Sequence, residues 1–241
     1  MAIAVGLLSG APGDAWAGEG FALVGAGGGL GGVLGGNGDG LHGYGGVIYA
    51  PGHTLSDTGL LLRGWAKALD FTYHSDRLDR RVRAFGYGVQ AEVGWQFAGP
   101  HGRLALLPGI VWRDHELTPS DPGSRLEDDR FGASFTADGE WRFGDRFGVM
   151  ANGTYLTGFK DYWVQSRPFV DLGSGWKVGL DLATWGGPDY AKMRAGVFTS
   201  GYELPVTAFG RMFLGASAGV QSDVDGSHLA PFAGINVGVL F

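Results

Sequence analysis

The chain alternates. From Phe85 to Phe97, "FGYGVQAEVGWQF" places Phe85, Tyr87, Val89, Ala91, Val93, Trp95 and Phe97 on one face. Gly86, Gly88, Gln90, Glu92, Gly94 and Gln96 fall on the other. From Phe131 to Phe143, "FGASFTADGEWRF" sets Phe131, Ala133, Phe135, Ala137, Gly139, Trp141 and Phe143 against Gly132, Ser134, Thr136, Asp138, Glu140 and Arg142. A side-chain period of two over such lengths is a strand signal. Both runs exceed the usual ~5–6 residues of a strand. They reach the ~9–11 residues a tilted membrane-crossing strand needs. Aromatics near both ends of each run match the girdles at two membrane interfaces.

The same pattern predicts strands over 21–30, 41–50, 59–70, 83–97, 103–113, 131–143, 146–157, 162–172, 176–185, 190–201, 207–220 and 229–241. Their connections alternate in character. "APGH", "AGPHG", "GD" and "GSG" are compact turns, built from residues that favour tight reversals. "GGVLGGNGDG", "HSDRLDRR", "DHELTPSDPGSRLEDD" and "SDVDGS" are longer and mostly polar. An even number of strands, about twelve, with short turns at one end and long loops at the other is the pattern of a bacterial outer-membrane barrel. The fold class expected is therefore all-β, a transmembrane antiparallel up-and-down β-barrel with both termini periplasmic. The last run carries Leu229, Pro231, Ala233, Ile235, Val237, Val239 and Phe241 on one face. That face meets lipid, and the terminal Phe resembles the C-terminal signature by which outer-membrane β-proteins are recognised for assembly. A soluble lipocalin-like barrel would instead turn a polar face outward.

Composition agrees with this reading. A chain of 241 residues suits one all-β barrel domain. Charged residues are 17%, against ~25% in soluble domains. The 47 glycines ease strand bending and leave room in a crowded interior. A net charge of −6 gives no footprint for nucleic acid. The lack of cysteine removes disulfides, thiolate metal sites and a cysteine nucleophile. Residues 1–17, "MAIAVGLLSGAPGDAWA", end on an A-x-A pattern and read as the remnant of a signal peptide. The barrel domain then runs 18–241.

Chemistry-like motifs carry little. "GASAG" at 215–219 fits G-x-S-x-G, yet Ser217 falls mid-strand without the strand-to-helix elbow that motif needs. "GGGLGG" at 27–32 opens no strand–helix unit. "DVDG" at 223–226 lacks the later ligands of a calcium loop. "HELTPSDPGSRLEDDR" reads as a solvated acidic loop. "NGT" at 152–154 lies inside a predicted strand, which argues against glycosylation. His53 and His101 fall in turns, His74 and His115 in or near outer loops, and His42 and His228 near strand ends. None has a sequence-local serine partner. No catalytic residue, cofactor site or metal site is expected.

Parity points a second set of residues into the lumen. Arg63, Lys67, Arg113, Arg142, Arg167, Lys177, Lys192, Arg194 and Arg211 face inward, with Glu92, Asp138, Glu140, Asp171 and Asp181. Trp65, Trp163 and Trp185 join them. On a lipid face such charges would cost roughly 2–4 kcal/mol each near the midplane. Inside, two outcomes are open. The charges pair into a network that plugs the barrel, or they line a path where Trp faces stack on sugar rings and Arg and Asp bond to hydroxyls. The candidate lumen or glucan contacts are Arg63, Trp65, Lys67, Glu92, Arg113, Asp138, Glu140, Arg142, Trp163, Arg167, Asp171, Asp181, Trp185 and Arg194.

The segments "LLLRGWAK" (60–67), "HELTPSDP" (115–122) and "DYWVQSRPFVDLGSGWKVGLDLATWGGPDYAKMRAGVFTSGYEL" (161–204) resemble the BcsS family of cellulose biosynthesis proteins, from about residue 41 to the C-terminus. The resemblance implies an outer-membrane protein associated with cellulose synthesis and supplies no catalytic residues. The molecular role is not set by family membership; with the barrel pattern and the lumen set, the chain reads as an accessory to glucan export or assembly, not a synthase. The partners expected are outer-membrane lipid, cellulose or another β-glucan, and other cellulose-secretion components. A general small-solute channel and a lipid-modifying barrel enzyme are the alternatives.

Overall fold

A computed structural model describes residues 18–29, 40–75, 77–122, 124, 130–173, 175–188, 190–204, 211–224 and 229–241. The segment read as a signal peptide, His228 and parts of the long loops lie outside the described residues.

Twelve strands follow in order: β1 (Gly18–Gly29), β2 (Leu41–Pro51), β3 (Gly59–Ser75), β4 (Arg80–Gly99), β5 (Gly102–Thr118), β6 (Arg130–Phe143), β7 (Phe147–Leu156), β8 (Asp161–Asp171), β9 (Lys177–Gly187), β10 (Tyr190–Leu204), β11 (Arg211–Asp223) and β12 (Leu229–Leu240). Each pairs antiparallel with its chain neighbours, and β1 closes on β12. Closure pairs every strand edge, the condition for a sheet to sit in hydrocarbon. The seam ends at Phe241. Its N–H donates to Gly20 O and Gly20 N–H donates back to Phe241 O, both at 2.8 Å. Its ring lies over Gly20, where any Cβ would overlap it.

The apolar face of the alternation points outward. Phe85, Tyr87, Val89, Val93, Trp95, Phe97, Ile110, Phe131, Trp141 and Phe143 are exposed. The outward aromatics form two belts. Tyr87 meets Trp112 edge-on at 5.5 Å, and Trp112 meets Phe131 at 6.4 Å. At the other end stand Phe97, Trp141, Phe143, Phe147 and Tyr202. The step from Tyr87 to Phe97, at ~3.4 Å per residue and a tilt of ~40°, makes a band of about 25 Å, the apolar height of a membrane barrel. Tyr87 keeps its hydroxyl wet by donating to Asp114 at 2.7 Å.

Several boundaries differ from the expected ones. β3, β4 and β5 run past their neighbours at the long-loop end. β2 stops pairing with β3 at Leu41–Asp70, and β6 stops pairing with β5 at Arg113–Arg130. Beyond those points β4 still pairs with β3 to Ser75–Arg80 and with β5 to Arg83–Thr118. So His74 and His115 lie in strands, not loops. The charge-rich runs there resemble loops because both their faces leave the membrane and need no apolar side. β11 begins at Arg211, and 207–210 lie outside the described residues.

The turn between β2 and β3 is also more than a reversal. Residues 52–58 fold over the short-turn mouth. Leu55 packs with Ile48 on a cluster of Ala50, Leu61, Ala105 and Leu107. Glu19 accepts the Leu55 N–H at 2.7 Å, and Gln96 Nε2 donates to both Leu55 O and Asp57 O at 2.8 Å. These bonds satisfy backbone groups of the half-buried Leu55 and tie an otherwise exposed turn to the wall.

Candidate functional site

The lumen holds the polar half of every alternation. Arg63 and Glu92 face each other across β3 and β4. They pair at 2.5 Å, with side chains 5% and 0% exposed. Glu92 also accepts from Gln90 at 2.8 Å and Thr136 at 2.6 Å. Three donors on one buried carboxylate are what such a charge requires.

A second knot centres on Asp181, fully buried on β9. It accepts from Gln165 at 2.7 Å, from Arg167 at 3.2 Å and from Arg194 at 3.0 Å. Arg194 is further held between the rings of Trp163, at 5.1 Å, and Phe232, at 5.0 Å. Trp163 and Trp185, opposite one another on β8 and β9, lie 5.2 Å apart. Toward the short-turn end, Arg142 reaches Asp171 at 2.9 Å and Glu140 at 3.3 Å, while Lys177 reaches Glu140 at 2.6 Å. Arg113 pairs with Asp161 at 2.6 Å and lies over Phe159 at 4.8 Å. Lys192 approaches Asp223 at 3.8 Å.

Most of the charged residues placed inside by parity are paired. Arg211 is the outlier. It sits at the mouth, 60% exposed, bonded to Glu203 at 2.8 Å. Lys67 has no carboxylate partner among the described residues and shares its surroundings with Arg63, Arg113 and Glu92. Trp65 stands across the barrel from Trp163 and Trp185, on the wall of β3. Its ring covers Gly46, which has no Cβ to collide with it, and meets Tyr44 edge-on at 6.2 Å. Gly25 gives Tyr44 the same room. These aromatic-over-glycine contacts are a physical use for the glycines.

Parity reasoning that counted only charges and tryptophans missed the neutral groups. Asn152 donates to Asp138 at 3.1 Å. With Arg103, Glu140, Met150, Gln165 and Arg167, these two line an inner cleft of about 170 Å³. The alternation in β5, β7 and β8 carries the signal, since Arg103, Asn152 and Gln165 share parity with Arg113, Thr154 and Arg167.

The serine motif falls within a strand and forms no strand-to-helix elbow. Ser217 lies inside β11, and the residues opposite it are Phe198 and Gly234. The row continues through Gly234 and Gly27 to His42 on β2. Among the described residues no group of histidine and carboxylate side chains is arranged to hold a metal.

The fold is shared with solved barrels. An outer-membrane channel from Pseudomonas putida F1 superposes with a TM-score of 0.59 at 12% identity, over 96% of this chain and 99% of that one. The transport unit of the autotransporter AIDA-I from Escherichia coli gives 0.52 at 9% identity, over 92% and 89%. A KdgM porin gives 0.51 at 8% identity, over 90% and 98%. No curated protein matches in sequence. The model of the family "Cellulose biosynthesis protein BcsS" matches residues 34–239. That span takes in all but the first of the twelve strands, including both lumen knots and the cleft, and the chain belongs to the BcsS family of cellulose biosynthesis proteins.

Proposed function

We propose that the barrel sits in the outer membrane of a Gram-negative bacterium with both termini periplasmic, and that it assists export or assembly of cellulose by guiding the glucan through its lumen. The observation that carries this reading is the lumen wall. Tryptophans stand on opposite sides, and the amides and charges between them are suited to hydroxyl groups. Sugar rings offer apolar faces for stacking and hydroxyls at their rims. In this reading synthesis itself belongs to another protein. Other cellulose-secretion components deliver the chain to the mouth.

A clean deletion tests this. Secreted cellulose falls, while synthase activity in inner-membrane vesicles is unchanged. Normal extracellular cellulose in the deletion strain removes the proposal. A small-solute channel is the second reading. Lys67, an inward cation without a carboxylate partner, favours it for anionic solutes. Steady conductance that cello-oligosaccharides do not block would select it.

A further inference from the structure

The inner cleft on β5–β8 has groups left over. Asp138 accepts one hydrogen bond, from Asn152 to Oδ2, and its Oδ1 has no donor among the described residues. Asn152 and Gln165 each spend one amide N–H on a carboxylate and keep the second N–H and the carbonyl oxygen. Arg103 Nη1 makes only long contacts, 3.4 Å to Leu55 O and 3.5 Å to Gln96 Oε1. The other two charges of the cleft are already paired. Arg167 is bound to Asp181, and Glu140 to Arg142 and Lys177. What remains is one cation, one carboxylate and two amide groups, each with a free N–H and a carbonyl oxygen, around about 170 Å³.

That inventory selects a ligand. Its charge sums to zero, so an anion or a cation gains nothing over a neutral molecule. Donors and acceptors both remain, so the ligand brings hydroxyl groups, which donate to the carboxylate and carbonyl oxygens and accept from Arg103 and the amides. Room for about six water volumes of ~30 Å³ each is the scale of one sugar ring. It is well below the ~300–1,000 Å³ of pockets for larger ligands. Met150 supplies a soft apolar surface for the face of the ring. We infer that this cleft is a subsite for one neutral pyranose unit, with Arg103, Asp138, Asn152 and Gln165 bonding its hydroxyls. The inference rests on the glucan reading and deepens it by naming where in the lumen a sugar unit is held.

The test is calorimetric titration of the refolded full-length barrel with cellobiose, cellotetraose and cellobiouronic acid. Cellotetraose binds the native protein, and Asp138→Ala and Asn152→Ala each weaken it at least tenfold. Cellobiouronic acid gains no affinity over cellobiose. Lys160→Ala, in the β7–β8 turn away from the cleft, leaves binding unchanged. Circular dichroism establishes that each variant folds, and Gln165→Ala replaces Asp138→Ala if the latter does not. Cellotetraose binding that survives the cleft substitutions overturns the subsite and leaves the glucan reading standing. A tenfold preference for the uronate overturns the neutral assignment. Failure of the native barrel to bind any cello-oligosaccharide overturns both.

Discussion

Arg63 Nε donates to Glu92 Oε2 at 2.5 Å, and the two residues sit directly opposite on β3 and β4 with almost no exposure. Removing one partner leaves the other charge buried and uncompensated, which costs about 3–5 kcal/mol. Glu92→Ala also strands the Thr136 and Gln90 donors. It is therefore expected to lower unfolding stability in detergent by about that amount. The double variant Arg63→Met with Glu92→Leu recovers most of the loss, because apolar residues of similar volume need no pairing. Urea denaturation of the three proteins gives the comparison. Equal losses in the single and double variants would show that packing, not charge, sets the effect.

Leu55 and Gln96 hold the β2–β3 turn over the short-turn mouth. Gln96→Ala deletes two hydrogen bonds to the turn's carbonyls, and Leu55→Asp places a carboxylate on an apolar cluster. Both favour an outward turn. Single-channel conductance in a planar bilayer is expected to rise at least twofold in each variant. Unchanged conductance in both would mean that the turn does not narrow the path.

The same turn carries a pH response. Asp57 Oδ2 accepts from Thr54 Oγ1 at 2.8 Å and from Thr54 N–H at 3.1 Å. These bonds favour the carboxylate and hold its pKa below the ordinary aspartate value. The folded turn binds that proton more weakly than an unfolded one. Its contribution is therefore present above about pH 4 and is lost as pH falls through the lowered value. Following the Thr54 amide resonance from pH 6 to pH 2 is expected to give a midpoint below ~3.9. Thr54→Val moves that midpoint upward, since it removes the hydroxyl donor and keeps the backbone one.

The barrel wall was legible because a membrane imposes a strict period of two. "FGYGVQAEVGWQF" can satisfy lipid on one side and lumen on the other only as a strand. That constraint ends at the membrane edge. "RRVRA" at 80–84 continues β4, yet its outward Arg83 bonds Asp70 in solvent at 2.8 Å and leaves no apolar stripe to read. The inward set was legible for the same reason, once the apolar face was assigned to lipid. Who pairs with whom was not. Asp181 meets Gln165, Arg167 and Arg194 from two other strands, and Leu55 is held by Glu19 and Gln96 from two more. Register and closure decide such contacts, and neither leaves a mark in local sequence.

Trp163 and Trp185 make different offers to a sugar. Arg194 occupies the neighbourhood of the Trp163 face at 5.1 Å, where the ring quadrupole and the guanidinium stabilise each other. No cation stands over Trp185 among the described residues, so Trp185 is the freer stacking surface. Trp185→Ala is expected to weaken block of the conductance by cello-oligosaccharides by about 1 kcal/mol, or roughly fivefold in affinity. It leaves ion selectivity unchanged. Trp163→Ala removes one of two rings that hold Arg194, while Phe232 and Asp181 retain it. The guanidinium then reaches further into the lumen, and the reversal potential in a salt gradient shifts toward anions. Measuring both readouts on both variants separates a stacking platform from a cation clamp. If Trp185→Ala leaves block intact while Trp163→Ala abolishes it, the assignment of the stacking role to Trp185 is wrong.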